Sequence, residues 1–296
     1  MAISMESIKS LRASTGAGIV DCRNALEACG GDVNAAADWL REKGIAKAAK
    51  KASRIAAEGL THVSVCGNVA AVVEVNSETD FVAKNDKFQA VVKTIADAIC
   101  AAQPKSMEEA NAVVVDGKTI ETIVVDTTAT IGEKISFRRF EILTKSDEES
   151  FGSYIHMGGK IAAVTVVKGA EKSELAKDLA MHVAALAPTY VGIENVPTEA
   201  VEHERKIQLE AAKNDPKLAD KPEAALVKIL DGKVRKVLSE VCLLEQEFVK
   251  EPGKKVSQVF TEAGSAVVTF VRYGVGEGMQ KKEENFADEV MAQVNK

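Results

Sequence analysis

The spacing of apolar positions changes several times along the chain, and each change marks a new element. Up to residue 54 apolar side chains recur every three or four positions. Ile8 and Leu11 share one face of a first predicted helix that ends at Thr15-Gly16-Ala17-Gly18. Ile19, Cys22, Leu26 and Cys29 do the same on a second, stopped by Gly30-Gly31. Asp32 is placed to cap a third helix with the stripe Val33, Ala36, Trp39 and Leu40. Three short helices punctuated by glycine predict a small bundle. Lys47, Lys50, Lys51 and Arg54 follow on an alanine-rich stretch, which reads as a solvated connecting helix in preference to a nucleic-acid arm.

From Leu60 the period becomes two. Thr61–Cys66 and Val69–Val75 alternate across Gly67-Asn68, the pattern of a β-hairpin. Phe88, Val91, Val92, Ile95, Ala96 and Ile99 then line an amphipathic helix. Later, Lys160–Val167 reads as a strand reached through Gly158-Gly159, and Leu175, Leu179, Val183 and Leu186 mark the helix after it.

These two stretches read as copies. Residues 68–75 align with 160–167 at an offset of 92, and residues 95–104 align with 179–188 at an offset of 84. The first copy therefore carries eight more residues between strand and helix, and they fall within Asn76–Asp86. Another strand is expected at Ile135–Leu143. Residues 198–241 read as two helices around a polar turn bracketed by Pro216 and Pro222, the second presenting Leu226, Leu230, Val234, Val237 and Val241. Such a pair is an antiparallel hairpin expected to project from the core. Ala266–Tyr273 alternates like a strand, and Phe286, Val290 and Val294 line a terminal helix.

The pattern predicts an α+β protein of several modules: 1–54, a three-helix module with its connecting helix; 55–145 and 146–265, the two halves of a β-hairpin and helix core, the second including the helical hairpin at about 198–241; and 266–296, a strand and helix module. A length of 296 residues suits that modularity. Charged residues are 28% and apolar residues 46%, the balance of a globular chain. The net charge of −6 and only 4% aromatic residues argue against direct nucleic-acid binding. No apolar run reaches the ~18–20 residues of a membrane span, and the opening Met1–Glu6 lacks an apolar export segment, so a cytoplasmic location is expected. The cysteines, Cys22, Cys29, Cys66, Cys100 and Cys242, contain no CxxC pair and read as reduced thiols, mostly buried. His62, His156, His182 and His203 show no ligand spacing, so no metal site, cofactor or catalytic constellation is expected. Phosphate-loop, dinucleotide, serine-hydrolase and zinc-protease motifs are all missing; Gly274–Gly278 is glycine-dense but opens no lysine-bearing helix.

One segment asks for a function. Thr79-Asp80-Phe81-Val82 sets two apolar side chains in a polar loop, inside the insertion that the sister copy lacks. Either Phe81 folds back onto its own core, or it is an exposed apolar anchor beside a carboxylate, the composition of an interface hot spot. His156, near the tip of the second hairpin, is open in the same way between a satisfied polar residue and a partner contact.

These residues also carry a family resemblance. Thr15-Gly16-Ala17-Gly18 with Asp21-Cys22 and Ala25-Leu26, followed by Lys47-Ala48-Ala49-Lys50-Lys51-Ala52, resembles the amino-terminal module of the translation elongation factor Ts family. Residues 76–84, Asn-Ser-Glu-Thr-Asp-Phe-Val-Ala-Lys, resemble its most diagnostic motif. Residues 153–156, 180–182, 242–249 and 275–278 are similar to later family stretches, in order, from about residue 5 to the end. The departures are small: Lys160-Ile161-Ala162 replaces basic-Ile-Gly, and Glu78 stands where the neighbour is more often uncharged.

The resemblance implies a ubiquitin-associated-like three-helix bundle, a two-part α+β core, a coiled-coil hairpin and a carboxy-terminal module that grips a GTPase. It implies a guanine-nucleotide exchange factor, not an enzyme of bond chemistry, that binds elongation factor Tu in its GDP-bound and nucleotide-free states. Thr79, Asp80, Phe81 and Val82 would then displace Mg²⁺ from the GTPase, with His156 as a further contact. Two other classes compete on the residues alone. An adaptor would use the three-helix bundle without exchange activity, and an RNA-binding translation protein would use the basic stretch 47–54.

Overall fold

The computed structural model describes residues 3–169, 172–213 and 223–280. The Pro216–Pro222 turn and the expected terminal helix with Phe286, Val290 and Val294 lie outside the described residues. In chain order the elements are α1 (Met5–Thr15), α2 (Ile19–Ala28), α3 (Val33–Lys51), β1 (Glu58–Cys66), β2 (Val69–Ser77), α4 (Asp80–Ala83), α5 (Asp86–Ala102), α6 (Met107–Ala112), β3 (Val114–Val115), β4 (Lys118–Thr119), α7 (Ile120–Ile131), β5 (Ser136–Thr144), β6 (Glu149–His156), β7 (Ile161–Lys168), α8 (Ser173–Leu186), α9 (Thr198–Lys213), α10 (Glu223–Val241), α11 (Val256–Glu262) and β8 (Ala266–Gly274). Helix and sheet mix along the chain, as an α+β class requires. The chain divides into two compact units, one containing residues 3–142, 155–161 and 273–280, the other the described residues of 143–154 and 162–272.

In the first unit, α1, α2 and α3 close on Ile8, Leu11, Cys22, Ala25, Leu26 and Ala36, with Trp39 and Leu40 at the margin. The Asp32 carboxylate accepts from the amides of Asn34 and Ala35, satisfying orphan donors at the start of α3. α3 runs without a break to Lys51, so the expected connecting helix is its last turns. It packs along α7. A side chain at Gly44 would put its Cβ 3.1 Å from that of Ala129, so glycine sets how closely these helices approach.

The three-stranded sheet of this unit has the order β1-β2-β5. β1 and β2 pair antiparallel from Glu58–Ser77 to Cys66–Val69, the register of a two-residue turn at Gly67-Asn68. α5 lies on the sheet and buries Phe88, Val92, Ile95, Ala96 and Ile99 against Leu60, Val73, Val75 and Phe137. Asn85 caps it, accepting from the amides of Lys87 and Phe88. β2 is buried on both faces, and among its apolar residues sits one carboxylate, Glu74, with no solvent exposure.

Glu74 is held from four directions. Arg138 Nη1 donates to both carboxylate oxygens at 3.0 and 3.1 Å, and Arg139 Nε to one at 2.6 Å. Asn76 Nδ2 adds 3.0 Å and the Gly276 amide 2.8 Å. A buried charge is tolerated only when paired and hydrogen-bonded throughout. One carboxylate therefore fixes β2, β5 and the 274–278 turn together. Arg139 also lies over the Tyr273 ring, 4.0 Å from its centroid, and burial pushes the Tyr273 phenol up.

In the second unit the sheet order is β6-β7-β8. Its buried residues include Ala163, Val164 and Val166 of β7, Leu179 and Val183 of α8, and Phe248 and Phe260 beyond. α9 and α10 pack on each other, with an ion pair between Arg205 and Asp231. The seam of α10 is Leu230, Val234 and Leu238, spaced by four. Val237, expected on that seam, is instead exposed, because the four-residue stagger carries the buried face to Leu238.

The two halves share more than their strands. α5 ends on Gln103 (φ 51, ψ 52) and α8 on Ala187 (φ 48, ψ 52), each left-handed, each followed by proline, each returning its amide to the carbonyl four residues back. Gln103 and Ala187 are aligned at the offset found from the sequence. Where β2 carries Glu74, the sister strand carries Val166, buried without a charge.

Replacing Glu74 by Gln keeps the shape but leaves two guanidiniums facing a neutral amide. Chemical denaturation of Glu74→Gln is expected to show a loss of about 3 kcal/mol. Loss of under ~0.5 kcal/mol would mean that the arginines find water or other acceptors at no cost.

Candidate functional site

The insertion after β2 begins at a pair of reciprocal carboxylate–amide bonds. Glu78 Oε1 accepts from the Lys134 amide at 2.6 Å. Glu133, the residue before, accepts from the Thr79 amide at 2.9 Å and from Thr79 Oγ1 at 2.7 Å. Residues 78–79 and 133–134 are thereby stitched in both directions. Arg54 adds a contact to Glu78 at 3.2 Å, and Lys134 Nζ donates to the carbonyls of Ala52 and Arg54 at 2.7 and 2.9 Å. The segment leaving α3, the insertion and the segment entering β5 thus meet at one polar knot. Charge-assisted bonds of this kind are about twice as strong as neutral ones.

From that base the chain makes a single helical turn, α4. Thr79 occupies its N-cap without capping it, since the hydroxyl is already committed to Glu133. Consecutive side chains of α4 then part company. Val82 is 6% exposed and Ala83 is buried, both within the cluster of Leu60, Phe88 and Val92. Phe81 is 78% exposed. Between the two readings left open by the sequence, this places Phe81 outside its own core. Val82, expected beside it as a contact residue, sits inward and anchors the turn, because adjacent helical positions point about 100° apart.

Asp80 is partly exposed and ion-paired with Lys84 four residues on, Nζ to Oδ2 2.9 Å. The Lys84 hydrogen bond and charge, with a contribution from Lys160, hold the Asp80 carboxyl below the usual carboxylate range. The same ammonium lies 5.6 Å from the centroid of the Phe81 ring. Lys84 therefore braces both outward-facing side chains of the turn.

His156 ends β6 and is exposed. The turn that follows is docked on β1. The Thr61 amide and hydroxyl both donate to the Gly159 carbonyl, at 2.7 and 2.8 Å, and Lys160 Nζ reaches Glu58 at 2.5 Å. Gly159 has φ 103, and a Cβ there would lie 2.9 Å from Leu60 Cδ2, so only glycine allows this approach. Lys160 acts electrostatically on Asp80, which links the His156 turn to the Phe81 turn in one unit.

Three functional candidates escaped the sequence reading. Glu133 lies 54 residues from Thr79, and no spacing rule connects them. Lys84 carries no signal of its own in the sequence beyond closing the 76–84 motif. Met157 follows His156, is 72% exposed and has φ 49, a conformation that side-chain-bearing residues seldom adopt. An unstrained turn would have asked for glycine there, so the Met side chain is presented at a cost.

Among the described residues no group of three or more His, Cys, Asp or Glu is placed to hold a metal ion. His182, the other histidine in a family-like stretch, is fully buried and pushed down by that burial. Its Nδ1 accepts from the Val249 amide at 3.3 Å, which leaves Nε2–H to donate to Gln246 Oε1 at 3.0 Å. It is a structural residue. No helix among the described residues is long and apolar enough to cross a membrane.

Two measurements test this geometry. Glu133→Ala removes a charged acceptor from the Thr79 amide, and that amide is expected to exchange with solvent about tenfold faster or more; unchanged protection would mean another group holds the loop. Lys84→Ala is expected to raise the Asp80 titration, followed by NMR, towards the ordinary carboxylate range. The sign follows from a folded-state value that Lys84 depresses, and an unmoved titration would assign the depression to Lys160 or the backbone.

A family model described as elongation factor TS matches residues 78–277 of this chain, a span that opens on the Glu78–Thr79 knot and closes within the turn that reaches Glu74.

Proposed function

We propose, for a chain that belongs to the elongation factor Ts family, that the Asp80–Phe81 turn is the element that loosens a bound guanine nucleotide. The family assigns a guanine-nucleotide exchange factor acting on elongation factor Tu in translation elongation. The finer reading concerns how the exchange is done. GDP in such a GTPase is held by Mg²⁺ and by phosphate-binding backbone groups, so its release breaks no covalent bond. What accelerates release is a partner that binds the nucleotide-free form more tightly, with the coupling reciprocal by necessity.

The observation that supports the turn is the exposure of Phe81 on a support that cannot easily yield. An aromatic ring held out by a clamped helical turn has already lost the freedom that docking would otherwise cost. In this reading Phe81 enters the GTPase near its Mg²⁺ site, Asp80 competes for the partners of the ion, and Thr79 and Val82 hold the turn. His156, with exposed Met157 beside it, bears on the phosphate-binding side. The GDP-bound form is the one engaged first and the nucleotide-free form the one retained, with no nucleic acid taking part and the cytoplasm as the setting.

The magnitudes require further contacts. Burying one Phe yields about 1.5–3 kcal/mol. Driving a two-state equilibrium from bound to released takes about 5.5 kcal/mol. The amino-terminal bundle and the second core half supply the remainder in this reading.

Stopped-flow release of a fluorescent GDP from elongation factor Tu tests it. Phe81→Ala is expected to slow catalysed release more than tenfold with an unchanged melting temperature, since the ring is outside the core. Wild-type exchange is expected to be antagonised by raised Mg²⁺. A Phe81→Ala protein as fast as wild type, or exchange indifferent to Mg²⁺, would sink this assignment.

A further inference from the structure

Outside the site just described, β1 and α5 face each other across a ladder of reactive side chains. His62, Ser64 and Cys66 alternate along one face of β1, the face that also buries Leu60. Lys93, Asp97 and Cys100 follow one face of α5 at helical spacing. Ser64 Oγ donates to Asp97 Oδ1 at 2.7 Å, and Lys93 Nζ pairs with Asp97 Oδ2 at 2.5 Å. Strand and helix advance in the same direction. Two residues beyond Ser64 is about 6.6 Å of strand, and three beyond Asp97 is about 4.5 Å of helix, which brings the next rung level.

That rung is Cys66 and Cys100. Cys100 Sγ lies 3.5 Å from the Val69 carbonyl, and Val69 is the direct cross-strand partner of Cys66. Both thiols therefore stand at the same end of the hairpin, near enough for Cys66 to push the Cys100 thiol up. They differ in access: Cys66 is exposed and Cys100 is fully buried. The other three differ from this pair. Cys22 and Cys242 are buried and Cys29 is half-buried.

We propose that Cys66 and Cys100 form a peroxide-reactive thiol pair that closes to an intramolecular disulfide. The exposed Cys66 sulfur attacks hydrogen peroxide; the O–O bond breaks, one oxygen stays on sulfur as sulfenic acid, and the other leaves as water. Cys100 Sγ then attacks the Cys66 sulfur. The S–S bond forms, the S–O bond breaks, and hydroxide leaves with the Cys100 proton as a second water. Two thiols are oxidised and one peroxide is reduced, with no further co-reactant.

The roles are not interchangeable. Burial keeps the Cys100 thiol away from dissolved peroxide and, with Cys66 adding to it, pushes that thiol up to about 12. The first attack therefore falls to Cys66, and Cys100 reacts only with the adjoining sulfenic acid, whose departing hydroxide takes its proton. The same property makes it a poor leaving group once bonded. A reductant arriving at the accessible Cys66 sulfur must expel it, so reopening is slow. The link would close residues 66–100 into a covalent ring that contains Thr79–Val82. It does so whether or not the protein accelerates nucleotide release.

The full-length protein is treated with hydrogen peroxide in stoichiometric steps, alkylated under denaturing conditions, digested without reductant and mapped by mass. A peptide bearing Cys66 joined to one bearing Cys100 is expected, lighter by about 2 Da than the sum of the two. Alkylatable cysteines are expected to fall by two from the five of the sequence. Cys66→Ser changes only an exposed side chain and is expected to leave Cys100 reduced at a peroxide dose that closes the wild type. Cys100→Ala is expected to halt at a Cys66 sulfenic acid that dimedone traps. Over-oxidation of Cys66 to sulfinic acid with Cys100 still free, Cys66–Cys66 dimers in place of the internal link, or oxidation of Cys100 at the wild-type rate in Cys66→Ser would each overturn the proposal.

Discussion

A single buried carboxylate sets the terms for the first unit. Glu74 sits in a strand whose other positions are apolar, and it is tolerable there only because Arg138, Arg139, Asn76 and the Gly276 amide all reach it. A group that must be fully satisfied or not buried at all leaves little freedom in the positions of its partners. It fixes the register of β2 against β5, and with that the height at which β2 ends and the insertion begins. Five residues later, at Thr79, the chain meets Glu133, and the second constraint is of the same kind, an acceptor that must be matched to a named amide. The outward Phe81 and inward Val82 follow from those two fixings, since a turn held at its base has no rotation left to exchange them.

This division of neighbouring side chains explains how an exposed aromatic ring coexists with a stable fold. The anchoring falls to Val82 and Ala83, and Phe81 contributes nothing to the core that its loss could disturb. Lys84 shields the ring from one side while pairing with Asp80, so the apolar surface is less naked than its exposure suggests. The sister half offers the comparison. It carries neither the inserted residues nor the charge, and its central strand is closed by Val166 where Glu74 would stand.

Much of this was legible in the residues, and the reasons are local. Helix caps such as Asp32, the hairpin turn at Gly67-Asn68 and the amphipathic face of α5 are specified within a few positions of sequence, where periodicity operates. The insertion was legible because a second copy existed to measure it against. α7 was not, since Ile120–Ile131 is rich in β-branched residues whose intrinsic preference is for strand. Packing against α3 and α5 overrides that preference. Glu74 and Glu133 were also invisible as structural keys. Their partners lie 64 and 54 residues away, and a carboxylate in the sequence does not announce which amide or guanidinium it will meet. The surface of the site was likewise readable only in part: composition suggested an apolar anchor, but which of Phe81 and Val82 faced outward depended on the base of the turn.

The matching ends of α5 and α8 say something about history. Regular strands and helices recur in unrelated proteins because physics favours them, so two similar hairpins alone prove little about origin. A helix that halts on a left-handed residue with a side chain, immediately before a proline, is uncommon and carries a small penalty. Finding it twice, at Gln103 and Ala187 and with nearly equal angles, is hard to credit to independent invention. An irregularity of this sort behaves like a copying error carried through two manuscripts. It marks the halves as descendants of one ancestral segment that have since parted at the inserted turn and the buried charge.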